Sequence, residues 1–266
     1  MWNAYKISWR LQSPMHIGLK KTGNLQVTRP YVPSWVVWGA FTARLTRDAG
    51  SSDYLDFGRR VSNEMAFMHL CFSRENVDTP TPWGDYRKDF DWQLLRSHTS
   101  TALQDGYTKE EGSLHETEFI APRDRDGGPV CLCGTVFVKE GSNLEWRKAA
   151  KRLSIGGERS YGWGRVELQK TEMLTESGWI LASERPSRTF TGSGEPIPGH
   201  VLRRNGRKEE LFLNGPTEVV VRRTTNPEVG QFGLHVTKPR FCWAPDSFSP
   251  EGVTLVIDPE GYLAAE

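Results

Sequence analysis

Apolar and polar residues alternate at the start of the chain. Every second position is apolar at Tyr5, Ile7, Trp9 and Leu11, which is the period that brings side chains to one face of a β-strand. The pattern predicts a strand over residues 3–11 with one face buried. Alternation or short β-branched runs predict further strands over residues 114–120, 129–138, 166–174, 218–221 and 253–257.

Helical spacing occurs in three places. Ser34 directly follows Pro33 and is the predicted N-cap of the first helix. A second helix is predicted over residues 52–72 and a third over 143–153, each with apolar residues on one face. The polar stretches 13–33, 74–92 and the first half of 97–123 contain turn residues, and they are predicted to be loops.

The order of these elements is compatible with an α+β fold of the ferredoxin-like, or RRM-like, kind with insertions. We expect this arrangement over residues 1–175, with a glycine-rich loop and a thumb-like insertion. The last part of the chain has short strand patterns separated by turn residues, which predicts a smaller β-rich domain over residues 190–266.

Composition limits the kinds of partner. The chain has 266 residues and a net charge of +1, so a nucleic-acid surface must be a local patch. Its ten tryptophans suit either core packing or stacking on bases. The four cysteines form no disulfide framework, and we expect buried thiols rather than zinc ligands. No leader or membrane span is predicted, so the expected location is the cytoplasm.

Four glycines fall close together in IGGERSYGWGRV, residues 155–166. A dinucleotide fingerprint needs a third glycine and a following helix, and a Walker loop needs a lysine where Trp163 stands. What is left is either a loop along a polynucleotide or a tightly packed glycine-rich turn. In the first case Arg159, Ser160 and Arg165 would contact phosphates, while Tyr161 and Trp163 would stack on a sugar or base.

Several segments together resemble a known family. IGGERSYGWGRVEL is similar to the glycine-rich loop of the RAMP superfamily, the RRM-like subunits of class 1 CRISPR effector complexes. Three stretches agree in order: SPMHIG (13–18), TRPYVPSWVVWGAFTARLTR (28–47) and TALQDGYTKEEGSLHETEFI (101–120). About 100 residues follow the loop, which resembles the group-5 branch of type III or type III-related systems.

The resemblance implies partners and further contact residues. Members of that branch grip the repeat-derived 5′ tag of the crRNA and stack against a neighbouring backbone subunit. A large effector or nuclease subunit is a third expected partner, and no cofactor or metal is implied. Arg29 and Tyr31 precede the first helix, and Ser34 and Trp35 lie at its N-terminus, where an anion is favoured. Arg44 is expected to bind phosphate or to form an internal ion pair.

Catalysis is the alternative hypothesis. His16, at the end of the first strand, is the candidate general base of a metal-independent endoribonuclease that processes repeat RNA, with His115 and Tyr161 as partners. A histidine near a strand end is more often a hydrogen-bonded structural residue or an RNA contact, and the sequence favours that role for His16. Glu116 and Glu118 share a strand face and suit a solvated or partner-facing surface better than a metal site. A sugar-binding module with tryptophan platforms is the third hypothesis. The leading one is a non-catalytic guide-RNA-binding subunit.

Overall fold

The computed structural model describes residues 1–74, 83–101, 103–104, 108–109, 113–175, 178–192, 194–203, 210–225, 228 and 232–266. The helices are α1 (Ser34–Asp48), α2 (Tyr54–Glu64), α3 (Trp83–Leu94) and α4 (Trp146–Ala150). The strands are β1 (Trp2–Leu11), β2 (Gly18–Thr22), β3 (Leu25–Thr28), β4 (Tyr31–Val32), β5 (Met65–Phe67), β6 (Leu70–Arg74), β7 (Leu95–Ser100), β8 (Leu103–Gln104), β9 (Thr108–Lys109), β10 (His115–Ile120), β11 (Val130–Lys139), β12 (Val166–Met173), β13 (Ser187–Phe190), β14 (Val201–Leu202), β15 (Thr217–Val220), β16 (Arg223–Thr225), β17 (Phe232–Val236), β18 (Arg240–Trp243), β19 (Val253–Ile257) and β20 (Leu263–Ala265).

The central sheet has the order β12-β1-β11-β6-β4, and β5 also pairs with β11. Each of these pairs is antiparallel. The alternating residues of β1 explain its position: Ile7 and Trp9 are fully buried in a core shared with Phe41 of α1 and Ala149 of α4. The predicted strands over 3–11, 129–138 and 166–174 are thus observed as the three neighbours β1, β11 and β12.

A second sheet, of order β2-β3-β10-β7, lies beside the central one. The segment that follows β1 is joined to this sheet, because the backbones of Met15 and of Ile120 at the end of β10 bridge to one another. Strand β10 pairs with β7 in register, so that Thr117 lies opposite His98 and His115 lies opposite Ser100. This pairing decides which polar side chains share a face.

A third sheet, of order β13-β19-β20-β14-β18-β15, comes from the C-terminal part of the chain. It packs on the central sheet through a second core in which Trp2 and Phe137 meet Phe190 and Leu255. The expectation of a mixed α+β fold is confirmed. The fold is rich in strands and distributes them over several sheets.

Four sequence predictions of local structure are wrong. The stretch 13–33 contains the hairpin β2–β3, and the predicted second helix stops at Glu64, after which the chain continues as β5 and β6. Residues 83–92 belong to α3, whereas 75–82 lie outside the described residues. Strand β7 replaces the start of the loop predicted after Ser97. Every position of β2 is exposed, so that strand carries no alternation to detect.

Two helix boundaries also differ from prediction. The N-cap of α1 is Pro33, and Ser34 is the first helical residue. The Ser34 hydroxyl donates to the carbonyl of Gly261 and does not cap the helix. Helix α4 spans only Trp146–Ala150 because the chain turns after Lys151. Its apolar residues are nevertheless buried as the spacing predicted.

Candidate RNA interface at the glycine-rich loop

The glycine-rich loop has a backbone that only glycine fits at two positions. Gly156 has φ +93°, and a Cβ there would lie 2.4 Å from the His16 carbonyl oxygen; Gly164 has φ +79°, and its Cβ would lie 2.2 Å from the Ile155 carbonyl oxygen. Both residues therefore permit close backbone contact as well as the left-handed conformation. The Gly157 N–H donates to His16 (2.9 Å), and the Gly164 N–H donates to Pro14 (2.7 Å). The loop is thereby fixed to the end of β1.

A short 3₁₀ turn, Arg159–Tyr161, forms the tip of the loop. Glu158 precedes it with φ +53°, which is unusual for a residue with a side chain, and Gly162 follows it with φ +77°. Arg159 donates through Nε to the Gly156 carbonyl (3.1 Å), and Arg165 donates through Nε to the Gly162 carbonyl (3.2 Å). Both side chains are exposed, and their terminal nitrogens bind no group among the residues described. Those nitrogens are available for an anion.

The surroundings of the tip add positive charge. The pKa of Arg159 is lowered, first because neighbouring atoms displace water and second because of the charge of Arg47 at the end of α1. The guanidinium groups of Arg159 and Arg47 thus make the electrostatic potential at the tip of the loop more positive, although the chain is almost neutral overall. Ser160, at the centre of the turn, is also exposed.

A cleft of about 250 Å³ lies between the loop and the β7–β10 face. Trp163 forms one wall; its ring lies 5.0 Å from that of Phe119 and 6.4 Å from that of His98, measured between centroids. Tyr161 is 62% exposed at the mouth. The cleft is lined by His98, Ser100, His115, Thr117, Glu158, Tyr161 and Trp163.

His16 lies beneath the loop and not among the residues that line this cleft. Its side chain is buried, its Nδ1 binds the Glu118 carbonyl at 2.7 Å, and its own carbonyl accepts from Gly157. The side chain thus connects β10 to the loop. Its proposed partners His115 and Tyr161 do line the cleft, so the predicted acid–base set is divided between two places. Glu118 accepts from the Thr28 N–H (3.1 Å).

Sequence reasoning missed four of the lining residues: His98, Ser100, Thr117 and Glu158. The clearest case is His98. It belongs to a stretch that was predicted to be loop, and all of Ser97–Thr99 is exposed. The available signal was the pairing of β7 with β10, which places His98 and Thr117 opposite one another. Strand pairing of this kind is set by tertiary structure, so residue spacing alone does not indicate it.

The other predicted contact residues form a separate, buried cluster. Arg29 is 8% exposed and binds both carboxylate oxygens of Glu218 on β15, while its Nη1 also donates to the Tyr31 hydroxyl (2.8 Å). Tyr31 stacks on His69, with ring centroids 5.4 Å apart. These two candidates are thus used within the chain, at the junction with the C-terminal sheet.

Ser34, Trp35 and Arg44 are also engaged internally. Ser34 is 1% exposed, and its N–H donates to Nδ1 of His69 (3.3 Å). Trp35 is half-buried and packs near His69, with centroids 5.5 Å apart. Arg44 pairs with Asp48 one turn along α1, which was one of the two roles expected for it. Its hydrogen bond lowers the pKa of Asp48.

The buried cluster has a fixed direction of hydrogen bonding. Because the Ser34 N–H can only donate, Nδ1 of His69 accepts and its proton resides on Nε2. That nitrogen donates to Nδ1 of His200 (2.8 Å), whose Nε2 in turn donates to Glu218 (2.8 Å). Both imidazoles are therefore neutral, and each of the three acceptors, Nδ1 of His69, Nδ1 of His200 and the Glu218 carboxylate, receives a hydrogen bond.

The pKa values follow from this geometry. Burial lowers the pKa of His69 well below its usual value, and the neighbouring His200 ring and the charge of Arg29 lower it further. Burial also lowers the pKa of His200, against the opposing effect of Glu218. Burial alone would raise the pKa of Glu218, but hydrogen bonds from His200 and Arg29 bring it down to about 2.

Comparison with solved structures finds matches at very low sequence identity. One chain in the cryo-EM structure of the Type III-B Cmr-beta bound to cognate target RNA and AMPPnP, state 1, is 9% identical with a TM-score of 0.53, and the match covers 91% of this chain and 84% of that one. A chain of the apo-state complex is 10% identical over 65% of this chain and 98% of that one, with a TM-score of 0.40.

The first of these matches establishes a shared fold and nothing more. No family model matches the sequence, and no curated protein is significantly similar to it. Among the described residues, no helix combines the length and the apolar character that crossing a membrane requires. The shared fold and the exposed arginines of the loop are therefore the observations that bear on function.

Proposed function

We propose that this chain is an RNA-binding subunit of a type III CRISPR effector complex and that it grips the 5′ tag of the crRNA through the glycine-rich loop. It acts without catalysis and caps a filament of backbone subunits, in the manner of the group-5 branch. The observation that carries the proposal is the pair of exposed arginines, Arg159 and Arg165, whose terminal nitrogens bind no described residue.

The topology supports the proposal. Strands β1, β6, β11 and β12 lie in the spatial order β12-β1-β11-β6, with helices between β1 and β6 and between β11 and β12. A split βαβ fold of the ferredoxin-like kind requires this order. We accordingly treat residues 1–175 as an RRM-like domain and residues 190–266 as a β-rich second domain. The fold shared with a chain of an RNA-bound Type III-B complex agrees with it.

Physical chemistry explains how such a loop binds RNA. Guanidinium groups bind phosphate oxygens in a planar, bidentate geometry, and each neutralised phosphate releases counterions. Tyr161 offers an exposed ring on which a base can stack. The interface does not use Arg29, Tyr31, Ser34 or Trp35, because their polar groups already bind groups within the chain or their rings pack in its interior.

The test is RNA binding by a loop variant, R159A/R165A, measured by fluorescence anisotropy on a single-stranded repeat-derived RNA. We expect weaker binding and a slope of log affinity against log salt that is smaller by about 1.4, since each phosphate that the variant no longer neutralises reduces the slope by about 0.7 on a single strand. The matched control, R59A/R60A, removes the same charge from α2 and should leave the slope unchanged. Equal slopes for both variants would overturn the proposal.

The non-catalytic part has its own test. Repeat RNA incubated with the purified chain in EDTA should stay intact, since the buried His16 connects β10 to the loop and does not line the cleft. Cleavage that disappears in His16→Ala, with the thermal midpoint unchanged, would instead establish the endoribonuclease alternative.

A further inference from the structure

The cleft beside the loop is chemically different from the loop itself. The loop presents two arginines, whereas the cleft is lined by aromatic rings, two histidines, three hydroxyl groups and one carboxylate. No arginine or lysine lines it among the described residues. A phosphate inside would face the Glu158 carboxylate without a compensating cation, so the cleft does not suit the RNA backbone.

The lining groups suit a planar ligand that carries hydrogen-bond donors. Trp163 supplies a flat wall, and Tyr161 an exposed ring at the mouth. The Glu158 carboxylate makes no hydrogen bond or ion pair with the residues described, and an ionised carboxylate can only accept. The left-handed backbone of Glu158 is the kind of strain that accompanies binding sites.

We propose that this cleft binds a single unstacked nucleobase of the guide RNA and that Glu158 selects guanine. The inference rests on the proposed RNA-binding function. Guanine presents two donors side by side on its Watson–Crick edge, N1–H and the N2 amino group, and a carboxylate can accept both. Adenine and cytosine place an acceptor beside their amino group, and uracil flanks its single donor with two carbonyls, so each would direct a lone pair at Glu158.

The other lining residues complement the rest of the guanine ring. Its O6 and N7 atoms are acceptors, and the indole N–H of Trp163, the Tyr161 hydroxyl and the His98 imidazole make no hydrogen bond with the described residues. His115 donates through Nδ1 to the Ser113 carbonyl (3.0 Å), so that nitrogen is already bound within the chain. The set combines stacking with edge recognition, as in other single-stranded RNA sites.

The experiment compares short U-tract RNAs that carry one central G, inosine, A or C. We expect the wild-type chain to bind the G oligonucleotide about tenfold more tightly than the A or C oligonucleotides, with inosine between them because it lacks the N2 amino group. In Glu158→Gln the ratio of the affinity for the G oligonucleotide to the affinities for the A and C oligonucleotides should fall to about one; ratios are compared because the substitution also removes a negative charge beside Arg159. A glutamine offers one acceptor and one donor, so it cannot receive both guanine donors.

Glu140→Gln is the matched control, since it removes the same charge from an exposed residue outside the cleft and should retain the preference. Thermal midpoints establish that both variants fold. A wild-type chain that binds all oligonucleotides equally, with the salt slope still dependent on Arg159 and Arg165, would overturn the guanine pocket and leave the proposed function standing. A chain that binds none of the RNAs would overturn the proposed function and the pocket with it.

Discussion

Two clusters of arginine and aromatic side chains in this protein have nearly the same composition but opposite surroundings. The junction cluster, centred on Arg29, Tyr31 and Trp35, lies between the N-terminal and C-terminal sheets and is paired internally. The loop cluster, centred on Arg159, Tyr161 and Trp163, stands at the surface beside an open cleft. Residue type alone predicts RNA binding by both clusters.

The two clusters differ in whether the guanidinium group is hydrated or paired with a carboxylate. A buried guanidinium loses its hydration and must recover it from a partner, here Glu218, so its hydrogen bonds are already used. An exposed guanidinium keeps its water until a ligand displaces it. The comparison indicates that binding potential resides in the donors left unpaired after folding and not in the number of arginines.

The largest effect is expected from breaking the junction pair. Glu218→Ala leaves Arg29 as an uncompensated buried charge and should lower the free energy of unfolding by about 3 kcal/mol, measured by urea denaturation. The control, Glu167→Ala, breaks the exposed Arg10–Glu167 pair (2.8 Å) and should cost less than about 1 kcal/mol. Similar losses of unfolding free energy in the two variants would contradict the idea that the buried Arg29–Glu218 pair matters more to stability than an exposed pair.

The second effect concerns the backbone of the loop. Gly164→Ala places a Cβ against the Ile155 carbonyl at a positive φ, and we expect a loss of about 2 kcal/mol in stability together with weaker RNA binding. Gly39→Ala is the opposite control, because that helical glycine has open space around it and alanine should gain up to about 1 kcal/mol. A neutral Gly164→Ala would show that the loop is less constrained than we infer.

The third effect is a loss of folding stability in acid, which we expect from the histidines packed against the junction cluster. The folded pKa of His69 is lowered, so the unfolded chain binds more protons below pH 6.5, and stability is complete above that value and falls as pH decreases. His69 alone should cost at most about 1.4 kcal/mol at pH 5.5, which is the limit for a ring that stays unprotonated in the folded protein. The titratable and charged groups that face His69 and its partner His200 are Arg29, Tyr31, Glu218 and Asp246. The lowered pKa of Glu218 extends the loss below about pH 4.5.

The measurement for this prediction is urea unfolding at several pH values between 7.5 and 5. His69→Gln should be less stable at neutral pH but should show a flatter pH dependence than the wild type. A wild-type stability that stays constant from pH 7.5 to 5 would contradict the assignment of two neutral imidazoles.

The smallest effect is expected at the rim of the loop cluster. Tyr161→Ala removes a largely exposed ring and should weaken RNA binding by about 1 kcal/mol, or roughly fivefold, with little change in stability. Tyr54→Ala on α2 is the comparison, since that tyrosine is also exposed. Equal affinities for the two variants would remove Tyr161 from the interface.

The sequence predicted those elements whose residues bury one face. Strands β1, β11 and β19 follow alternating or apolar runs, whereas β2 is exposed throughout and gives no signal. The glycine-rich loop was found because its close backbone contacts need glycine. The burial of Arg29 could not be found, because its partner Glu218 lies 189 positions away and no local pattern connects them.

The hydrogen-bonded series from Ser34 through His69 and His200 to Glu218 has a consequence for the N-terminus of α1. That end carries a partial positive charge, which in many proteins attracts phosphate. Here a carboxylate from the C-terminal sheet reaches it through two imidazoles. The Ser34 N–H at this end of the helix is therefore already bound by His69, whose orientation is fixed through His200 by Glu218 of the C-terminal sheet, so that this donor is not available to a phosphate.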